Sequence, residues 1–192
     1  MRQSERDERF RFASTALSGV VVIQRQPRGD ERGYLERLFC ESALAGIGFG
    51  GPISQINHTL TRSKGCIRGM HFQYPPHAEA KLVSCLRGRI FDVAVDLRPD
   101  SPSFLRWHGE ILGAANHKSL LIPPGCAHGF QTLTADCHLL YLHTAPFVPG
   151  SEGGVRFDDP VLAIDWPMAV TDISERDKTH PFIGPGFSGI RL

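Results

Sequence analysis

A chain of 192 residues with 21 Lys and Arg against 20 Asp and Glu is long enough to bury a core without disulfide staples, and its near-neutral charge offers no general field for nucleic acid or an anionic membrane. Its five cysteines, Cys40, Cys66, Cys85, Cys126 and Cys137, are odd in number and form no C-x-x-C pair, which argues against a disulfide framework or zinc ribbon and fits a reducing cytoplasm. The charged start, Met1 to Phe10, lacks the apolar run of a secretory signal, and no later run approaches the ~20 residues of a membrane span.

One domain is expected over residues 1–192, with 1–20 as an N-terminal extension and 178–192 as an irregular tail. A first strand is predicted at Val20-Val21-Val22-Ile23, and a short helix at Glu41-Ser42-Ala43-Leu44-Ala45, ahead of the glycines between Gly48 and Gly51. Turn signals then recur at short intervals, among them Ser63-Lys64-Gly65, Arg87-Gly88, Pro99-Asp100-Ser101-Pro102 and Pro123-Pro124-Gly125. Brief runs rich in Val, Ile, Leu, Phe and Thr lie between them, the pattern of an all-β sandwich or barrel. In Arg89 to Leu97, Phe91, Val93, Val95 and Leu97 share one face, while Ile90, Asp92, Ala94 and Asp96 share the other and are candidates to line a polar cavity. Leu120-Leu121-Ile122 reads as a further strand, and Ser174-Glu175-Arg176-Asp177 as a helix start with a serine cap. The tail from Pro181 to Gly186 cannot sustain a helix.

The chemistry concentrates in Arg68-Gly69-Met70-His71-Phe72-Gln73, in Lys81, and in Pro123-Pro124-Gly125-Cys126-Ala127-His128-Gly129-Phe130. A single strand histidine is more often a satisfied core residue, but two imidazoles with two cations in β-prone segments are what proton abstraction beside a carbonyl needs. A base removes the C–H proton and fixed positive charge holds the enolate, which points to an isomerase.

Two blocks resemble the cupin double-stranded β-helix, a jelly roll closed around a pocket: Gly65 followed after five residues by His71, and Pro123-x-Gly125-x-x-His128. Gln73 stands where a cupin metal site places its second histidine, and Glu79 is poorly spaced as a carboxylate ligand. No metal and no cofactor are therefore expected. A closer resemblance runs from Asp30-Glu31-Arg32-Gly33 to Asp177. Through Gln55-Ile56-Asn57, Arg68 to Gln73, Lys81-Leu82-Val83, Phe91 to Asp96, Ser101 to Phe104, Pro123 to Phe130 and Asp158-Asp159-Pro160, the chain is similar to the dTDP-4-dehydrorhamnose 3,5-epimerase (RmlC) family.

The resemblance implies a metal-free, cytoplasmic cupin homodimer in which one subunit lends residues to its partner's nucleotide site. Such enzymes convert dTDP-4-dehydro-6-deoxy-D-glucose to dTDP-4-dehydro-L-rhamnose on the path to dTDP-L-rhamnose, a polysaccharide precursor. Carried over by position, His71 resembles the general base, Asp177 its carboxylate partner and Tyr141 the general acid. Lys81, Arg68 and His128 match positions that touch sugar and diphosphate, and Arg32, Gln55, Asn57, Glu152 and Arg176 match other substrate contacts. Arg37 stands near the nucleotide where many members have a carboxylate, and Phe147 where many have a second tyrosine. Read from the residues alone, Asp92 and Asp96 rival Asp177 for orienting His71, and Arg68 suits either the carbonyl oxygen or a phosphate. An epimerase acting at one carbon and a non-catalytic sugar-nucleotide binder are the competing functions.

Overall fold

Short strands punctuated by turns carry the chain in the computed structural model, which describes residues 9–192. The strands are β1 Phe10–Ser14, β2 Val21–Arg25, β3 Arg28–Asp30, β4 Gly33–Leu35, β5 Gln55–Thr61, β6 Ile67–Gln73 and β7 Lys81–Arg87. They continue with β8 Arg89–Asp96, β9 Trp107–Gly113, β10 Lys118–Ile122, β11 Cys126–Thr132, β12 Cys137–His143 and β13 Glu152–Gly154. Two short helices, α1 Glu41–Ala45 and α2 Glu175–Lys178, stand at the positions predicted for them. The Ser174 side chain caps α2 by accepting from the Asp177 N–H at 3.1 Å.

A six-stranded sheet in the order β1-β2-β10-β7-β12-β5 faces a five-stranded sheet in the order β13-β6-β11-β8-β9, with β3 and β4 forming a separate ribbon. This is the cupin-type jelly roll, and the period-2 alternation of its strands decides what each face meets. Ile90 and Ala94 of β8 point between the sheets and join Val83, Cys85, Leu120, Leu139 and Phe130 in the central core. Val93 and Val95 point the other way, under Val155, Leu162 and Ile190 of the C-terminal segment. The outer face of the larger sheet, through Ile23, Leu82, Leu121 and Leu142, is covered by Phe10, Leu44 and Phe49. Each fully buried Val, Leu, Ile or Phe side chain among these contributes about 1.5–3 kcal/mol of transfer free energy.

Both ends of the described chain are tied into the fold. The segment read as an N-terminal extension supplies β1, which pairs antiparallel with β2 from Phe10 opposite Arg25 to Ser14 opposite Val21; residues 1–8 lie outside the described residues. Phe10 packs beneath α1, which is why the strand stays docked. The tail is irregular but anchored, since Ile190 is buried and its N–H donates to the Leu97 carbonyl at 2.7 Å. Among the described residues, no helix is long and apolar enough to cross a membrane.

Candidate active site

The inward rows of β7 and β12 change from apolar to polar along the strand, from Cys85 and Val83 to Lys81 and from Cys137 and Leu139 to Tyr141 and His143. Where they turn polar, a cavity of about 240 Å³ opens between the sheets. Asn57, Lys81, Tyr141 and His143 line it from the six-stranded sheet; Arg68, His71 and His128 line it from the other. His71 and His128 are direct cross-strand partners. Their strands pack this closely because a Cβ on Gly69 would lie 2.5 Å from the Gly129 Cα, and one on Gly129 would lie 2.5 Å from the Met70 Sδ.

His71 is held from behind. Its Nε2 lies 2.8 Å from the Asp177 Oδ1, while the other carboxylate oxygen accepts from the Gly69 N–H at 3.1 Å. Burial alone would raise the Asp177 carboxyl, but the His71 hydrogen bond and charge, the Gly69 N–H and the Arg176 guanidinium outweigh it and hold the group well below the usual carboxylate range. A carboxylate only accepts, so Nε2 carries the ring proton and Nδ1 keeps the basic lone pair. Arg176 Nη2 also lies 3.0 Å from that Nε2, and its Nη1 donates to Glu152 at 2.9 Å.

A second imidazole–carboxylate pair sits deeper, with His128 Nε2 at 2.7 Å from Asp92 Oδ1. Burial pushes the Asp92 carboxyl up, and His128 opposes that rise. The Tyr141 ring meets His128 edge-on at 5.8 Å, and burial raises its phenol well above the ordinary tyrosine value, with the Asp92 charge adding to the rise and Arg68 opposing it. Lys81 Nζ donates to the His71 carbonyl at 3.2 Å and pairs with Glu79 at 3.1 Å. Burial, then the charge of Lys81, bring the His143 imidazole down to about 4.

Of the residues singled out from the sequence, Asn57, Arg68, His71, Lys81, His128, Tyr141, Glu152 and Arg176 line this cavity, and Asp177 stands directly behind His71. Gln55 braces the rim: its Nε2 donates to Asn57 Oδ1 at 3.1 Å and its Oε1 accepts from the Phe147 N–H at 3.0 Å. Arg32 and Arg37 are not among the lining residues of their own chain's cavity. Arg32 sits at the tip of the exposed β3–β4 ribbon, paired with Asp30, because that ribbon belongs to neither large sheet. The rival carboxylates are also reassigned. Asp92 serves His128, and Asp96 binds Arg98, Ser101 and Ser103 beside a separate opening of about 530 Å³ that lacks an imidazole.

Gln73 proves structural: its amide donates to Glu79 at 2.8 Å and accepts from the Val148 N–H at 2.7 Å, tying down the cavity rim. Three further residues escaped the sequence reading, namely His143, Glu79 as the partner of Lys81, and His180, whose ring packs edge-on against His71 at 5.5 Å. For His143 the signal was available, since it follows Tyr141 by two residues on one strand face.

The family model described as dTDP-4-dehydrorhamnose 3,5-epimerase matches residues 14–184. The chain is 39% identical over 183 residues to the dTDP-4-dehydrorhamnose 3,5-epimerase of Sinorhizobium fredii, covering 93% of this chain and 91% of that protein. The crystal structure of the Bacillus anthracis dTDP-4-dehydrorhamnose 3,5-epimerase with TDP and PPi bound matches with a TM-score of 0.87 at 35% identity, over 91% of this chain and 99% of that one. The Legionella pneumophila RmlC structure, in complex with dTDP-4-keto-L-rhamnose, matches with a TM-score of 0.83 at 37% identity, over 88% of this chain and 89% of that one. With its jelly roll and the shared order of its motifs, this chain belongs to the dTDP-4-dehydrorhamnose 3,5-epimerase family.

Proposed function

We propose that this protein converts dTDP-4-dehydro-6-deoxy-D-glucose to dTDP-4-dehydro-L-rhamnose by removing and returning protons at C3 and C5. The observation that carries the reading is the position of an imidazole–carboxylate pair and a phenol on opposite sheets across one cavity. Inversion requires this separation, because the proton must leave one face of the sugar and return to the other.

In this reading His71 Nδ1 takes the C–H proton, and Asp177 fixes the tautomer and steadies the imidazolium as it forms. The 4-keto group spreads the resulting charge onto its oxygen, where Lys81 and His128 supply positive charge or an N–H; losing one such donor commonly costs about 3 kcal/mol of barrier. Tyr141, kept protonated by burial, delivers the proton from the other side, and Arg68 offsets the phenolate charge or holds a phosphate. Asn57, Gln55, Glu152 and Arg176 shape and close the sugar–diphosphate path.

We also infer a cytoplasmic homodimer. Arg32 and Arg37 lie outside their own chain's cavity, and the ribbon beside them exposes Tyr34 and Leu35, which supports a loan of this ribbon to a partner's nucleotide site.

NMR of the product formed in D2O tests the reaction. Deuterium is expected at both C3 and C5 with inverted configuration, while label at one carbon alone would replace this reading with a single-carbon epimerase. His71→Ala is expected to abolish both inversion and solvent exchange while dTDP binding survives; exchange at the wild-type rate would mean another base.

A further inference from the structure

His180 is an imidazole without an assigned task. Its side chain is 13% exposed, its Nε2 is buried without a hydrogen-bond partner among the described residues, and it lies 3.7 Å from Asp177 Oδ1. The ring fits because position 154 is glycine: a Cβ there would lie 2.4 Å from His180 Cε1. The ligating atoms of His71, Asp177 and His180 all lie within 4.8 Å of one another. Two imidazoles and a carboxylate converging on one face are a donor set suited to divalent zinc, nickel or cobalt.

We propose that His71, Asp177 and His180 form a binding site for a divalent transition-metal ion of the zinc class, and that its occupation switches the catalytic base off. Ligand atoms on one such ion, each about 2.1 Å from it, lie about 3 to 3.5 Å apart; the 2.8 Å and 3.7 Å separations from Asp177 Oδ1 fall on either side of that spacing, and the two imidazoles, within 4.8 Å of each other, need only a small shift to close on one ion.

The chain's own cation marks the spot. Arg176 Nη2 lies 3.0 Å from His71 Nε2 and Nε lies 3.3 Å from Asp177 Oδ1. Its side chain is 55% exposed and tied to Glu152, so it has solvent to swing into when a metal competes. The chemistry of inhibition follows from the tautomer. A metal–Nε2 bond forms as the Nε2–H bond breaks, the proton passes through solvent to Nδ1, and the neutral ring then has no lone pair for the substrate. The ion is thus an inhibitor and not a cofactor, a consequence that rests on His71 being the base.

Zinc chloride titrated calorimetrically into the metal-stripped full-length protein, without substrate, tests the site. One ion per chain is expected, with affinity falling about tenfold or more in His180→Gln, whose basal turnover is expected to stay within a few-fold of wild type. Arg176→Ala keeps all three ligands and is expected to bind zinc more tightly. Solvent exchange of the nucleotide sugar should be lost over the same zinc range and return with EDTA. Equal zinc affinity in wild type and His180→Gln, or no tightening in Arg176→Ala, would overturn the site. Full exchange at saturating zinc would overturn the switch. Wild type that binds zinc as expected yet never turns over substrate would count against the epimerase reading and leave the site standing.

Discussion

At the residue scale, the two halves of the proposed proton transfer are separable because His71 and Tyr141 belong to different sheets. Tyr141→Phe is expected to admit deuterium into substrate of unchanged configuration while inversion falls by about 10²–10⁴-fold. Inversion at the wild-type rate, measured by product stereochemistry beside deuterium uptake, would refute the acid. His143 makes a different prediction. Its imidazole is brought down to about 4 in the fold, by burial and then by Lys81, against about 6.5 in an unfolded chain. Between those values the unfolded chain binds a proton that the folded one refuses, so stability declines as pH drops from about 6.5 to about 4 and levels off below. His143→Gln is expected to remove about 1–3 kcal/mol of that slope, allowing for partial screening by solvent. Urea midpoints at either end of the window decide it: an equal acid loss in both proteins would place the effect elsewhere. The depressed Asp177 carboxyl acts lower, its contribution being lost only as pH falls below the ordinary carboxylate value.

At the element scale, β6 and β11 set the distance between the two imidazoles. Gly129→Ala would put a Cβ 2.5 Å from the Met70 Sδ and 2.8 Å from the Arg68 carbonyl. Spreading the strands to relieve that contact is expected to cost about 1–3 kcal/mol and to lower turnover further than the loss of folded protein explains. Denaturation and turnover measured together check this, and wild-type values in both would show that the close approach is dispensable. Much at this scale was legible beforehand. The strand runs, both helices and the Ser174 cap follow from local pattern and side-chain chemistry, whereas β1 was missed because the alternation of Arg9-Phe10-Arg11-Phe12 is only four residues long and follows a densely charged start. Its place comes from pairing with β2 and from Phe10 reaching the cluster under α1.

At the scale of the whole molecule, the proposed loan of the β3–β4 ribbon between subunits predicts complementation. Arg32→Ala is expected to raise KM for the nucleotide sugar about tenfold or more with kcat little changed. Mixed dimers of Arg32→Ala with His71→Ala should then regain one wild-type site, measured at substrate well below the wild-type KM as activity above that of either homodimer. Mixtures no more active than their parents, with sedimentation showing exchanged subunits, would mean that Arg32 serves its own chain or none.

By itself the sequence determined the jelly roll, the family, and the identity of the imidazoles and cations that share the cavity. Strand alternation, turn residues and motif order are local properties, readable along the chain. Which carboxylate serves which imidazole was decided by tertiary structure. Asp177 reaches His71 across 106 positions and Asp92 reaches His128 across 36, while Asp96, on the same strand face as Asp92, turns to Arg98. Local pattern places a side chain on a face; the crossovers of the antiparallel sheets and the return of the C-terminal segment determine what that face meets. His180 shows the same division, because nothing in its local sequence reveals that Gly154 leaves room for its ring beside Asp177.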